Sequence, residues 1–382
     1  MAVNPFKPTA GKMPPILVGR QNIIDDFREG LINGAGAPGR LMLVMGQRGY
    51  GKTVMLTEMR RIAEDFGWIT VSETASEGLT ARLISALNPK GWRLESATVS
   101  PSVGIPGVAS ASLGNASITF EETAALTLRN AIQEVLESRK VKKGKGILFT
   151  IDETQAASHD DMVAIATAVQ HVITDQDLSL LPDSQKKGVA FAFAGLPSLV
   201  DELVNHKVLT FLRRSLKREL GDVPLPDVRN AYVESFADSG KRIGDELAAE
   251  CARLSDGYPY MIQLIGYYVW QSAERDGRTT VSEADVARGF SDALQAFGDA
   301  VCAPAFDALS PAARKFALAM VEDGEGPTLV ADVAERVGKS RSWANKYREV
   351  LIAEKVIVPD DFGYVRFAIP HMARYLEGVA LL

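Results

Sequence analysis

Residues Gly46 to Thr53 read Gly-Gln-Arg-Gly-Tyr-Gly-Lys-Thr and follow the apolar run Leu41-Met-Leu-Val-Met45 without a break. This match to G-x(4)-G-K-[ST] in full constrains the fold more than any other feature of the chain. A five-residue apolar run of this kind is a strand buried on both faces, and Thr53–Phe66 continues with helical periodicity. The glycines let the backbone wrap closely around phosphate oxygens, with φ > 0 where a Cβ would clash. Amides of Gly46, Gln47, Arg48, Gly49, Tyr50, Gly51, Lys52, Thr53 and Val54 then line a cradle at a helix N-terminus, where the helix dipole favours anions. Lys52 is expected to neutralise the β/γ-phosphates of ATP or ADP, and the Thr53 hydroxyl to coordinate Mg²⁺.

The metal needs a second ligand. Ile147-Leu-Phe-Thr-Ile151 is an apolar strand that ends in Asp152-Glu153. Asp152 at the strand's carboxyl end is expected to hold the Mg²⁺ shell, and Glu153 to polarise an attacking water.

Around these two motifs, apolar runs alternate with helical patterns. Strands are expected at Trp68–Ser72, Gly146–Ile151 and Val189–Ala194. Helices are expected at Leu79–Leu87, Glu122–Arg139, Met162–Thr174 and Leu196–Val204. The alternation predicts an α/β core with a parallel sheet and helices on both faces. From Asp227 to Leu294 only helical signals occur, at Val228–Ala237, Gly244–Leu254, Pro259–Ala273 and Glu283–Leu294. The expected domains are therefore a core over 1–226, an all-helical lid over 227–302 and a third block over 303–382. Residues 88–120, rich in Ser, Ala, Gly and Pro, read as a loop or hairpin inserted in the core.

In the third block, a helix is expected over Thr328–Val337, with Gly338 as its breaker, and a second over Ser340–Ala353. A hairpin follows, Val356–Val358 with Tyr364–Ala368. That order is a winged helix-turn-helix. Arg336, Lys339, Arg341, Lys346 and Arg348 fall in a stretch without an acid, so Lys339, Arg341, Lys346 and Arg348 are candidates for contacting DNA. The block from Ala305 onward nevertheless carries ten basic against eleven acidic residues. Attraction to DNA would therefore be local and salt-sensitive. Winged helices also bind proteins, and both readings stay open. Trp343 and Tyr347, at helical spacing with Val350 and Leu351, are expected in a core stripe.

The composition narrows the classes. A net charge of −6 over 382 residues gives no global basic field. Cys251 and Cys302 sit in no metal or redox spacing and read as reduced core residues. The four scattered histidines predict no zinc site. No apolar run approaches the ~18 residues of a membrane span, so a cytoplasmic protein without membrane insertion is expected.

Together these motifs resemble the AAA+ ATPases. Within them the chain is most similar to the branch that holds origin-recognition-like replication initiators, TniB/ExeA-like transposition and secretion helpers, and STAND-type relatives. Pro15-Ile-Leu-Val-Gly-Arg20 resembles the branch's "VGR" segment, which implies that Val18, Gly19 and Arg20 lie against the adenine. Gly195-Leu-Pro-Ser198 is similar to the Gly-x-Pro-x-Leu run of TniB/ExeA-like members. It departs from the polar sensor of most AAA+ proteins and leaves Ser198 a weak candidate. Leu212-Arg-Arg-Ser-Leu216 before Val223-Pro-Leu225 looks like the arginine-bearing segment. That implies a finger at Arg214, with Arg213 beside it, acting in a homo-oligomer. Asp256-Gly-Tyr-Pro-Tyr260 looks like the lid's Gly-x-Pro motif, with Pro259 near the base. The resemblance implies an ATP-hydrolysing switch acting on DNA; a STAND-like signalling ATPase assembling partner proteins, and a helper ATPase, are the alternatives.

Overall fold

The computed structural model describes residues 3–9, 11–87, 120–182, 185–197 and 210–380. The chain forms two compact units, one over Gly19–Gly221 and one that joins residues 1–18 to 222–382. All but the first two residues of the helix expected at Leu196–Val204, Ser198 among them, and nearly all of the expected insertion fall outside the described residues.

The Gly19–Gly221 unit is built on five strands: β1 (Leu41–Met45), β2 (Ile69–Thr74), β3 (Gly146–Asp152), β4 (Gly188–Gly195) and β5 (Leu216–Glu219). They pair in the order β2-β3-β4-β1-β5, and every pairing is parallel. Among the described residues of this unit, five α-helices accompany them: α1 (Gln21–Asn33), α2 (Lys52–Asp65), α3 (Leu79–Leu87), α4 (Phe120–Glu137) and α5 (His159–Asp177). Parallel strands need crossovers: α2 lies on the one from β1 to β2, α3 and α4 on that from β2 to β3, and α5 on that from β3 to β4.

Alternate residues of the central strands face opposite layers, and both sets are buried. Leu43, Phe149, Phe191 and Phe193 pack with Leu83, Leu128, Ile132, Ile165 and Val169 of α3 to α5. On the other set, Met42, Val44, Leu148, Ala190 and Ala192 are also removed from water, and α2 packs on β2, β3 and β4. Phe149 and Phe191 stack at 4.5 Å between ring centres, which adds about 0.5–1.5 kcal/mol beyond the area they bury.

Polar staples fix α3 and α4 to α5. The Asp161 carboxylate accepts the backbone N–H groups of Gly78, Leu79 and Thr80 at 2.9–3.2 Å, so it caps α3 from the first turn of α5. Near the other end of α5, Asp175 accepts from Arg129 of α4 through both carboxylate oxygens and from Gln133 at 2.6 Å.

Strand β5 did not figure among the expected strands. Its four residues carry the charged sequence Leu-Lys-Arg-Glu at a sheet edge, where one side of the ladder is open. Arg218 there pairs with Asp26 of α1 at 2.6 Å.

The second unit opens its helical part with α6 (Leu225–Asp238), α7 (Asp245–Leu254), α8 (Pro259–Arg275) and α9 (Glu283–Phe297). Ser282 and Asp285 form a reciprocal capping box at the start of α9. Phe6, from the chain's N-terminal segment, is buried against Tyr232 and Phe236. A Cβ on Gly266 would stand 2.4 Å from the Phe6 ring, so only glycine leaves room for it.

The C-terminal elements follow: α10 (Ala303–Asp307), α11 (Pro311–Met320), β6 (Thr328–Leu329), α12 (Val330–Val337), α13 (Arg341–Ala353), β7 (Ile357–Pro359), β8 (Tyr364–Phe367) and α14 (Met372–Ala380). Strands β6, β8 and β7 make a small antiparallel sheet. Here the helix expected from Thr328 is corrected. Thr328 and Leu329 are extended and pair with Val365 and Tyr364, and the helix begins at Val330. Gly338 closes α12 at φ +65°, and the Ser340 side chain caps α13 by accepting from Trp343 N.

Candidate functional site

The phosphate loop joins the carboxyl end of β1 to the N-terminus of α2. Gly49 and Gly51 adopt φ of +82° and +87°, a region where a side chain would be strained. Gly46 is held between Tyr50 and Leu220, whose carbonyl oxygen would lie 3.0 Å from an added Cβ. Lys52 is buried. Its Nζ points back into the loop and donates to the carbonyls of Gly46 at 2.9 Å and Gln47 at 3.0 Å. Burial lowers its pKa, while the carboxylates of Glu153 and Asp152 oppose that shift.

Strand order brings the acidic pair to the same place. With β4 alone between β1 and β3, the carboxyl ends of β1 and β3 open on one side of the sheet. The Thr53 hydroxyl donates to Asp152 Oδ2 at 2.5 Å. The other oxygen, Oδ1, accepts the Glu153 N–H at 2.9 Å. Glu153 itself leaves the strand in the left-handed region, at φ +50°. One hydroxyl and one carboxylate, both hard oxygen donors beside an anion cradle, fit Mg²⁺, which takes few protein ligands and completes its shell from phosphate and water. Among the described residues, no group of three His, Cys, Asp or Glu side chains offers a metal a richer site.

Other candidates lie elsewhere. Arg20 is buried and donates from Nη2 to the carbonyl of Gly221 at 2.5 Å, with Gly19 before it at φ +67°. Val18 and Pro259 belong to the second unit, where Pro259 opens α8. Arg213 and Arg214 are exposed at the end of a short turn, Thr210–Arg214, that enters β5. In the register of β5 against β1, Leu216 stands beside Met42 and Glu219 beside Met45. Arg214 therefore precedes the level of Met42, at the opposite end of the sheet from the loop. At ~3.3 Å per residue, it is roughly 15–20 Å from the loop of its own chain.

One polar residue escaped notice in the sequence. Gln155 donates from Nε2 to Glu153 Oε2 and accepts the Leu196 N–H at 3.2 Å.

On the C-terminal surface, Lys339, Arg341 and Lys346 are exposed at the start of α13. Two other basic residues are engaged. Arg336 is paired with Asp323 at 2.6 Å and Glu322 at 3.1 Å, and Arg348 is paired with Glu349. Trp343 and Tyr347 are half-buried rather than core. Their rings meet at 4.8 Å, and Trp343 reaches Phe316 of α11 at 6.3 Å. The buried residues of α13 are instead Ala344 and Leu351. At the tip between β7 and β8, Phe362 is 98% exposed beside Asp360 and Asp361.

The sequence profile described as AAA ATPase domain matches residues 16–181. Residues 299–376 match one described as a domain of unknown function (DUF8462). No curated protein matches the chain. Among solved structures, the ORC2 protein of Aeropyrum pernix, determined as ADPNP–ADP complexes, is similar with a TM-score of 0.59 at 14% identity. The alignment covers 98% of this chain and 97% of that one. A Walker-type ATPase of Pyrococcus abyssi is similar with a TM-score of 0.58 at 16% identity, over 94% and 96% of the two chains. At such identities the likeness speaks for the fold. By its parallel sheet, its phosphate loop and the matched domain, the Gly19–Gly221 unit has the α/β fold of an AAA+ P-loop ATPase core, a nucleotide-binding fold.

Proposed function

We propose that this chain is a Mg²⁺·ATP-dependent switch that hydrolyses ATP and passes its nucleotide state to DNA held by a C-terminal winged helix. The observation that carries the nucleotide half is the hydrogen bond from Thr53 to Asp152, which sets two hard oxygen ligands at the mouth of the phosphate loop. In this reading the loop Gly46–Val54 cradles the phosphates and Lys52 balances their charge. Thr53 and Asp152 hold Mg²⁺, and Glu153 takes the proton of the attacking water. Bound Mg²⁺ would supply charge stabilisation at the phosphoryl oxygens. Val18, Gly19, Arg20 and Pro259 are assigned to the adenine side. Arg213 and Arg214 stand too far from their own loop to serve it, so a finger role for them requires a second copy of the chain.

The DNA half rests on the order α11, β6, α12, α13, β7, β8, which suits a winged helix-turn-helix. Lys339, Arg341 and Lys346, exposed at the start of α13, would meet phosphates and base edges. Arg348 is a weaker member of this set because Glu349 offsets its charge.

One feature favours the signalling alternative. The tip that would be the wing presents exposed Phe362 beside Asp360 and Asp361, an apolar side chain better suited to a protein surface than to phosphate. ATPase assays with and without duplex DNA, on size-separated material, distinguish the two. Stimulation by DNA with salt-sensitive binding supports the switch on DNA. ATPase activity without any DNA binding at low salt leaves the protein-assembly reading.

A further inference from the structure

We propose that Gln155 is a positioning residue for hydrolysis, which sets the carboxylate of Glu153 and ties it to the phosphate loop through the end of β4. This rests on the reading of Glu153 as the base that activates water.

The argument begins with the backbone. Glu153 turns out of β3 at φ +50°, and its N–H is held by Asp152 Oδ1. Its side chain, however, has three free torsions, and a carboxylate that must face a water needs a further contact to select one rotamer. A short turn, Thr154–Ala156, brings that contact back over it. Thr154 is buried and donates from Oγ1 to the Ile151 carbonyl at 3.2 Å, which anchors the turn to β3. The next side chain, Gln155, then reaches Glu153 Oε2.

The amide of Gln155 has only one orientation that works. The Leu196 N–H can only donate and the Glu153 carboxylate only accepts, so the amide oxygen must face Leu196 and the amide nitrogen Glu153. A carboxylate at this position could not hold both partners. Leu196 follows Gly195, whose carbonyl accepts the Gly46 N–H at 3.2 Å, and Gly195 is the register partner of Met45. A continuous path thus runs from the first glycine of the phosphate loop through Gly195, Leu196 and Gln155 to Glu153. The carboxylate is referenced to the loop that holds the phosphates, rather than to its own strand alone.

The test compares Gln155→Ala, Gln155→Glu and Glu153→Gln with the wild-type full-length chain. ATP binding, kcat and KM are measured for each. In Gln155→Ala the carboxylate loses its reference, and kcat is expected to fall about 10- to 100-fold, the scale of a misplacement near 1 Å. ATP affinity should stay within about two-fold. In Gln155→Glu a carboxylate faces the Glu153 carboxylate and can no longer donate to it, so kcat should fall as in Gln155→Ala while ATP affinity again stays within about two-fold. A contact that served only the fold would not divide kcat from binding in this way.

A wild-type kcat in Gln155→Ala or in Gln155→Glu overturns the proposal. Loss of ATP binding in both variants overturns it too, because the contact then serves the fold. If Glu153→Gln no longer turns over while Gln155→Ala keeps its kcat, only the positioning role falls. If Glu153→Gln turns over like wild type, the base assignment fails first and the proposal with it.

Discussion

Thr53 and Asp152 are 99 residues apart in the chain and 2.5 Å apart in the folded core. The bond makes each a constraint on the other, since the hydroxyl that would face the metal is already aimed along the carboxylate. Removing the acid with Asp152→Ala should cost one charge-assisted contact, about 1.5 kcal/mol, or roughly ten-fold in affinity. The loss should appear only in Mg²⁺-dependent ATP binding. Calorimetric titration of ATP with Mg²⁺ and with EDTA checks it, and an equal loss in both would remove Asp152 from the metal site.

Lys52 and Glu153 should separate binding from turnover. Lys52→Ala removes the buried ammonium and is expected to weaken ATP binding at least ~100-fold, as expected for the loss of a buried charge–phosphate contact. Glu153→Gln is expected to bind ATP within about two-fold of wild type and to hydrolyse it ~10²–10⁴-fold more slowly. Equilibrium binding and steady-state phosphate release on the same preparations decide between these outcomes.

Duplex binding across a salt series addresses α13. Each phosphate contact contributes about 0.9 to the slope of log K against log salt, so Arg341→Ala with Lys346→Ala should flatten it by about two. Arg336→Ala should leave the slope near wild type, because that guanidinium is committed to Asp323 and Glu322. It should instead loosen the contact between α12 and the turn before β6, read as a lower melting temperature.

His371 gives stability a pH dependence. It is buried at φ +59°, edge-on to Phe297, with Nδ1 3.5 Å from Asp256 Oδ2. Burial, the largest influence, pulls its pKa below 6.5 despite the attraction of Asp256. The unfolded chain then takes a proton that the folded chain refuses. Stability from this residue is full above about pH 6.5 and declines as pH falls below it. His371→Asn, which cannot titrate and accepts φ > 0, should show a shallower loss between pH 7.5 and 5.5 in denaturant unfolding. An identical slope would show that other groups set the dependence.

Much of the core was legible in the chain because its information is local. The phosphate loop is one contiguous segment with its strand and helix attached, and the acidic pair ends an apolar run. Gln155 was not legible. Its partner Leu196 is 41 residues away, and they meet only because β3 and β4 are neighbours, an order that no periodicity encodes. Strand β6 was hidden for a different reason: two residues are too short to show alternation, and Leu329 also fits the helical spacing of α12. The basic run of the C-terminal block looked uniform in sequence, yet Asp323 and Glu322, a helix away, claim Arg336. Trp343 and Tyr347 show the limit of spacing arguments, since they share a stripe but lie at its edge.

The staples on α5 carry a final consequence. Asp161 fixes the start of α3 and Asp175 fixes the middle of α4, so both helices are fastened to one element. The three helices should therefore ride over the sheet as a single plate, and a substitution that displaces α5 would be felt in α3 and α4 together.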